Sequence, residues 1–298
     1  MSYIKLSEHT GYFPGAVNIG FIQNHDRIVL IDTGLDKNSA SRVYNELQNE
    51  GLTVEAIITT HAHADHYGGN SWFILKFGTP IIASIGEKPF LENPFIEPMY
   101  LNAGAIPPAQ FNNKFLLGNA SPVAETIVKN QNHISLLELD IEVIHLPGHA
   151  IDMIGVQLEG VFFCADSLFS TAIIEKHGIP FFIDCKKQRE TLNFIDNSLW
   201  KWIIPSHGEP AQDSNEMVGF YLDRLIAIES DIVSVAGNGL AEQNIVAEVS
   251  RHFAKPITSL QQYALMRTPI ISMLQDMEAR GLMKQTFENG SPYWKENV

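Results

Sequence analysis

The segment VEAIITTHAHADHYGG, residues 54–69, decides the reading of this chain. Residues 54–60 form a β-branched apolar run of strand length. Just beyond it His61, His63, Asp65 and His66 lie on a loop that runs into Gly68 and Gly69. A lone histidine is ordinarily a packed or surface residue, but four metal-capable side chains this close together change the expectation. On a loop at a strand end, alternate residues His61 and His63 can point to one side and Asp65 and His66 to an adjacent one. Two metal ions are the natural outcome.

Working outward, three later segments supply partners. Pro147-Gly148-His149 follows the run IEVIHL, Ala165-Asp166-Ser167 follows VFFC, and Pro205-Ser206-His207-Gly208 follows WKWII. Each places one His or Asp just past a predicted strand, where chemistry is usually found. Imidazole and carboxylate donors suit zinc, and also iron or manganese, while the lack of thiolate argues against a closed structural site. The surrounding elements interleave. RIVLID (27–32) reads as a strand, and residues 37–51 as a helix with Ala40, Val43 and Leu47 on one face. GGNSWFILKFG is helix-like, residues 80–84 return to strand, four more strand candidates cover 141–146, 154–158, 161–165 and 200–204, and 187–198 suits a helix. Such alternation predicts an α/β domain with sheet covered by helices.

Two regions depart from that pattern. Residues 86–129 gather Pro89, Pro94, Pro98, Pro107, Pro108 and Pro122 with Phe90, Phe95, Phe111 and Phe115. This reads as an irregular insert, serving either as a lid or pocket wall or as a packed excursion or oligomer contact. From Asp213 onward the order becomes helix, helix, helix, hairpin. One helix is expected over 213–231, and another from Ala241 with Ile245, Val246, Val249 and Phe253 on one face. A third would be capped by Thr268, opened by Pro269 and ended by Gly281, before a hairpin turning at Asn289-Gly290. That is the order of a winged helix. Groove entry into DNA is disfavoured by the excess of acidic over basic residues in this segment, so it reads as a docking or dimerisation module bordering the active site, with a homodimer as the expected assembly.

Composition narrows the partners. Thirty-four acidic against twenty basic side chains leave a net charge of −14 over 298 residues, which repels a nucleic-acid backbone. Cys164 and Cys185 are too few for a disulfide framework. The first residues lack the pattern of a signal peptide and no later apolar run is long enough to span a bilayer, so a cytoplasmic protein is expected.

Taken in order, IDTG (31–34), THAHADH (60–66), PGHA (147–150), ADSLF (165–169) and SHGEP (206–210) resemble the motifs of the metallo-β-lactamase-fold metallohydrolase superfamily. HAHADHYGG and ADSLF are more similar to its glyoxalase II and lactonase branches than to antibiotic-degrading enzymes. The resemblance implies an αββα metallo-β-lactamase sandwich over residues 1–212, followed by a small C-terminal winged-helix-like domain over 213–298. It implies that His61, His63 and His149 bind one metal, that Asp65, His66 and His207 bind a second, and that Asp166 bridges them. Asp32 would brace the histidine loop. Two divalent ions, zinc foremost, would hold a water between them and lower its pKa toward neutrality.

The function so implied is hydrolysis of an ester-like bond, in a thioester, lactone or related small acyl substrate, by a metal-bridging hydroxide. Asp65 would move a proton to the leaving group. The glyoxalase II glutathione site relies on a different C-terminal domain, so glutathione is not implied. The alternatives are an RNA- or phosphodiester-cleaving nuclease, against which the net charge stands, and an iron-dependent oxygenase of the same fold. Of the remaining residues, Phe181 and Phe182 are read as an apolar wall, Tyr67 and His177 as structural, and Cys164 as a small buried hydrophobe. His9, His25, His133, His145 and His252 are given no role.

Overall fold

A computed structural model of the chain describes residues 3–254 and 256–297. Its first sheet has seven strands in sequence order: β1 (Ile4–Lys5), β2 (Thr10–Phe13), β3 (Ile19–Asn24), β4 (Arg27–Ile31), β5 (Thr53–Thr59), β6 (Ile81–Ser84) and β7 (Val123–Ile127). The pairs from β1 to β4 are antiparallel and those from β4 to β7 parallel. The second sheet comprises β8 (His133–Leu136), β9 (Leu139–His145), β10 (Ile154–Leu158), β11 (Val161–Ala165) and β12 (Trp202–Pro205), antiparallel except for the β11–β12 pair.

The sheets face each other through Ile22, Val29, Ile58 and Ile82 from the first and Ile141, Val143, Val156 and Phe163 from the second, all buried. Helices cover both outer faces. On the first sheet lie α1 (Lys37–Asn49), the short α2 (Ala64–Tyr67) and α3 (Asn70–Phe77). Asp36 caps α1 by accepting from the Asn38 and Ser39 amides, and the helix buries Ala40, Val43 and Leu47, the face its spacing predicts. Over the second sheet pack α6 (Thr171–His177), α7 (Cys185–Asp196) and the later helices, which together give the αββα sandwich.

Residues 86–129 are more ordered than their composition suggests. They hold α4 (Lys88–Glu92), α5 (Ile96–Leu101), a single turn of 3₁₀ helix at Ala109–Phe111, and the edge strand β7. Pro89 lies in the first turn of α4, where a missing amide costs nothing. The first three strands also escape sequence reading, because β2 and much of β3 are buried on both faces and show no alternation.

After residue 212 come α8 (Asn215–Ala236), β13 (Leu240–Ala241), α9 (Glu242–Phe253), α10 (Leu260–Ala279), β14 (Met283–Glu288) and β15 (Ser291–Glu296), with β15 central in a three-stranded sheet. Tyr221, Leu225, Ile228, Ile245, Ile270 and Met273 from these helices join one apolar layer with Phe162, Leu192 and Ile195. The third helix begins earlier than Thr268 and Pro269 suggest. Ser259 caps it, and Pro269 lies in its interior. The buried face formed by Ala264, Ile270, Met273 and Met277 continues through the proline, so packing outweighs the lost backbone bond. Among the described residues no helix is long and apolar enough to cross a membrane.

Two features of this frame aim residues at the rim between the sheets. Asp32 and Ala165, at the ends of β4 and β11, adopt left-handed backbone with φ of 62° and 51°, an uncommon conformation off glycine that tends to mark functional turns. Gly68 and Gly69 let α2 and α3 approach the loop after β4: a Cβ on Gly68 would strike the Leu35 carbonyl, and one on Gly69 would meet the Thr33 carbonyl.

Candidate metal centre

All seven expected donors come together at the strand ends on one edge of the sandwich. His61 Nε2 and His149 Nε2 lie 3.1 and 2.9 Å from His63 Nδ1, so three ring nitrogens converge on one point. Asp65, His66 and His207 form a second group, with His207 Nε2 3.3 Å from Asp65 Oδ2 and His66 Nε2 3.8 Å from Asp65 Oδ1. Asp166 stands between the groups. Its Oδ2 is 3.5 Å from both His149 Nε2 and His207 Nε2, and its Oδ1 is 3.5 Å from His66 Nε2.

The carboxylate–imidazole distances, 3.3 to 3.8 Å, are too long for good hydrogen bonds, and the whole set suits atoms gathered around cations. Asp166 Oδ1 and His66 Nε2 are both buried without a hydrogen-bond partner among the described residues, a costly state unless a further group completes them. The donor set therefore fits divalent metal ions. Electrostatics agree. Burial, together with the crowding of neighbouring imidazoles, holds His61 well below its ordinary pKa and brings His63 down to about 3. Burial opposes the charged forms of His66 and Asp166 as well. There the opposite charges win: Asp166, Asp65 and Asp32 raise His66 well above its usual value, while His207 and His66 hold Asp166 well below its own. A field that favours a proton at this spot favours a metal cation equally.

The remote ring nitrogens of His61, His66, His149 and His207 are tied down. Asp32, almost wholly buried, accepts from the Thr60 amide and hydroxyl at 2.8 Å each and from His66 Nδ1 at 2.8 Å. Thr60 Oγ1 in turn lies 3.1 Å from His61 Nδ1. His149 Nδ1 donates to the Phe181 carbonyl at 2.9 Å, and His207 Nδ1 to that of Ala16 at 2.8 Å. Each bond fixes the tautomer that leaves the inward nitrogen free.

Two carboxyl groups that sequence reading missed complete the setting. Glu87 is buried and accepts from the Ala62 and Asp152 amides, both at 2.9 Å, clamping the His61–His63 loop to the loop after His149. Glu97 on α5 is also buried; its Oε1 is 3.9 Å from His63 Nε2, and its Oε2 has no hydrogen-bond partner among the described residues. Burial first, then Asp65 and Glu87, push its pKa well above the ordinary range. No sequence motif marks either acid. A charged residue inside a Pro- and Phe-rich stretch was the available signal. Glu97→Leu should gain about 1 kcal/mol of stability by removing an orphaned buried oxygen, yet weaken metal at the His61, His63 and His149 group roughly tenfold. Urea unfolding and chelator competition check the two halves separately.

His145, given no role by its sequence context, pairs with Asp152 at 3.1 Å. The Asp152 hydrogen bond raises the His145 pKa. Burial opposes the charged form of Asp152, but His145 and the Gly86 amide lower its pKa on balance. The raised histidine contributes stability below its unfolded pKa and loses it as pH rises through the folded value. The lowered carboxyl contributes above its own unfolded pKa and loses it as pH falls. Asp152→Asn should therefore cost about 1 kcal/mol, discounted for partial exposure, at pH 5 and less at pH 8. Equal losses of stability at the two pH values would contradict this.

The remaining readings divide. Phe181 lines the cavity beside His149, but Phe182 is buried in the core. Tyr67 is packed, its hydroxyl accepting from the Gly118 amide. His177 lines the same cavity as Phe181. Both cysteines are buried free thiols, Cys185 pushed up by burial to about 12.

An αββα sandwich with a His- and Asp-rich donor cluster at one edge defines a class of metal-binding proteins. A profile of the Metallo-beta-lactamase superfamily matches residues 12–207, and the chain belongs to that superfamily. Among curated proteins it is similar to hydroxyacylglutathione hydrolase 1 of Vibrio vulnificus, 28% identical over 46% of this chain and 42% of that protein. It is also similar to hydroxyacylglutathione hydrolase of Vibrio campbellii, 31% identical over 51% and 47%. The chain thus spans about half the length of these relatives. In fold it is similar to a beta-lactamase domain protein from Burkholderia ambifaria (TM-score 0.75, 13% identity, 99% of this chain and 93% of that one). A metallo-beta-lactamase family protein from Thermus thermophilus is comparable (TM-score 0.71, 18% identity, 94% of each).

Proposed function

We propose that the protein is a binuclear metal-dependent hydrolase of an ester-like bond in a small acyl substrate, with a thioester as the first choice. The observation that carries this reading is the convergence of seven donors into two groups joined by Asp166 beside an open cavity. His61, His63 and His149 would hold one ion, Asp65, His66 and His207 the other, and Asp166 both. Two divalent ions, zinc on the nitrogen and oxygen donors, would supply a water activated at neutral pH and a Lewis acid for the substrate carbonyl.

The chain's own residues do the rest. Asp32, Thr60 and Glu87 hold the ligand loops in register. Phe169 and Phe181 flank His149 and keep bulk water from the acyl side. Asp65 is a third exposed, more open than Asp166. It would take a proton from the attacking water as water's oxygen joins the carbonyl carbon, and pass it to the departing thiol or alcohol as the acyl carbon–sulfur or carbon–oxygen bond breaks. The relatives named hydroxyacylglutathione hydrolase support a thioester as that substrate.

The test is elemental analysis of protein purified without added metal or chelator, followed by thioester, lactone and phosphodiester substrates on the same sample. Near two zinc per chain with thioester or lactone turnover is expected. Phosphodiester cleavage alone, or one iron per chain without hydrolysis, would overturn the reading.

A further inference from the structure

Of the cavities that reach the donor cluster, two form arms that meet at Asp65 and His207, and a third lies against His63, Glu87 and Glu97. One arm is a cavity of about 600 Å³ floored by Asp65, His149, Asp166 and His207. Its walls include Phe169, Ile173, Ile179 and Phe181, and Leu265 and Met266 from α10. The other is a recess of about 380 Å³ with Asn38, Ser39 and Arg42 from α1 and Phe115 from the insert. The first is apolar beyond its donors, and its ionisable residues other than the donors, Lys176 and His177, are exposed. The second is also lined largely by apolar groups, Val17, Ile19, Leu35 and Phe115, with Asn38, Ser39 and Arg42 alongside.

Resting on the hydrolase reading above, we propose that the substrate carries an unbranched apolar acyl chain of several carbons, seated against Leu265 and Met266 of α10, with its leaving group directed to the α1 recess. A hydroxylated or charged acyl group lying against Phe169, Ile173, Ile179, Leu265 and Met266 would surrender its water to side chains with no N–H or O–H to offer. An alkyl chain gains from the same walls, and the flexible Met266 thioether can fit its outline. The volume lies within the range that encloses small organic ligands. Helix α10 lies outside residues 12–207, the part matched by the superfamily profile, so acyl selection would be supplied by a segment beyond the catalytic sandwich. The half-buried state of Leu265 and Met266 fits this, since each keeps apolar surface turned to the cavity.

The experiment measures kcat/KM of the zinc-loaded full chain on acetyl, butanoyl, hexanoyl and octanoyl thioesters of N-acetylcysteamine, for the parent, Met266→Glu and Leu265→Gln. In the parent, kcat/KM should rise about fourfold per added methylene, the worth of burying one, until the cavity is filled. Both variants should flatten that slope, with circular dichroism confirming retained fold. In addition, metal-free parent protein should bind octanoate at least tenfold more tightly than butanoate. Hydrolysis with no dependence on chain length, or a slope that survives both substitutions, would overturn the acyl-chain proposal and leave the hydrolase reading standing. Failure to hydrolyse any member, lactones included, with two metals loaded would overturn both.

Discussion

Asp166→Ala is expected to abolish loading of the second metal and to lower turnover of any acyl substrate by more than a hundredfold. The expectation follows from position. Asp166 is buried at the only point among the seven donors from which carboxylate oxygens reach both histidine groups, at 3.5 Å from His66, His149 and His207. Removing an orienting partner of a ligand typically costs 10- to 100-fold in metal affinity or activity, and a shared ligand should cost more. Its loss also removes the strongest attraction raising the pKa of His66, so the remaining cluster holds less negative charge with which to offset two dications. Asp166→Asn separates shape from charge. It keeps the volume and one oxygen acceptor but removes the negative charge, and should show weakened rather than absent loading. Elemental analysis and thioester turnover of both variants are the measurements. Two equivalents of zinc with parent turnover in the alanine variant would remove Asp166 from the bridging role.

The donors could be read from sequence because each sits within a short motif at the end of an apolar run. Strand ends are where a layered α/β fold puts its loops, so His61, His149, Asp166 and His207 are brought together by topology as much as by their own chemistry. Helix α1 was legible for a related reason: the Ala40, Val43, Leu47 stripe states its buried face locally. Glu87 and Glu97 were not legible. What makes them matter is the packing of α4 and α5 against the ligand loops, and their Pro- and Phe-rich surroundings mark a charged residue in apolar company without saying what it packs against. The start of α10 was misplaced because Thr268 and Pro269 imitate a helix N-terminus, whereas the buried stripe running from Ala264 to Met277 carries the helix through them. The walls contributed by Leu265 and Met266 were hidden by the same misplacement.

Asp32→Asn should weaken metal at the Asp65, His66 and His207 group by about 10- to 100-fold while leaving the fold intact. Asparagine tolerates the left-handed backbone that this position adopts, so the substitution changes chemistry without adding strain. The side-chain oxygen can still accept from the Thr60 amide, as Asp32 Oδ1 does. The amide nitrogen then stands where Oδ2 accepts from His66 Nδ1 and the Thr60 hydroxyl. Thr60 can turn its hydroxyl and accept instead. His66 can avoid facing a donor with a donor only by moving its proton to Nε2, the nitrogen directed at Asp65 and Asp166. That tautomer blocks the nitrogen a metal needs. The His61, His63 and His149 group is affected less, because Thr60 alone links it to Asp32. Zinc titration against a graded chelator should therefore show one affinity falling and the other nearly kept, and ¹⁵N spectra of the metal-free variant should report His66 protonated at Nε2 and not at Nδ1. Parent affinity at both positions would mean that Asp32 only supports the turn after β4, and that His66 is oriented by packing without it.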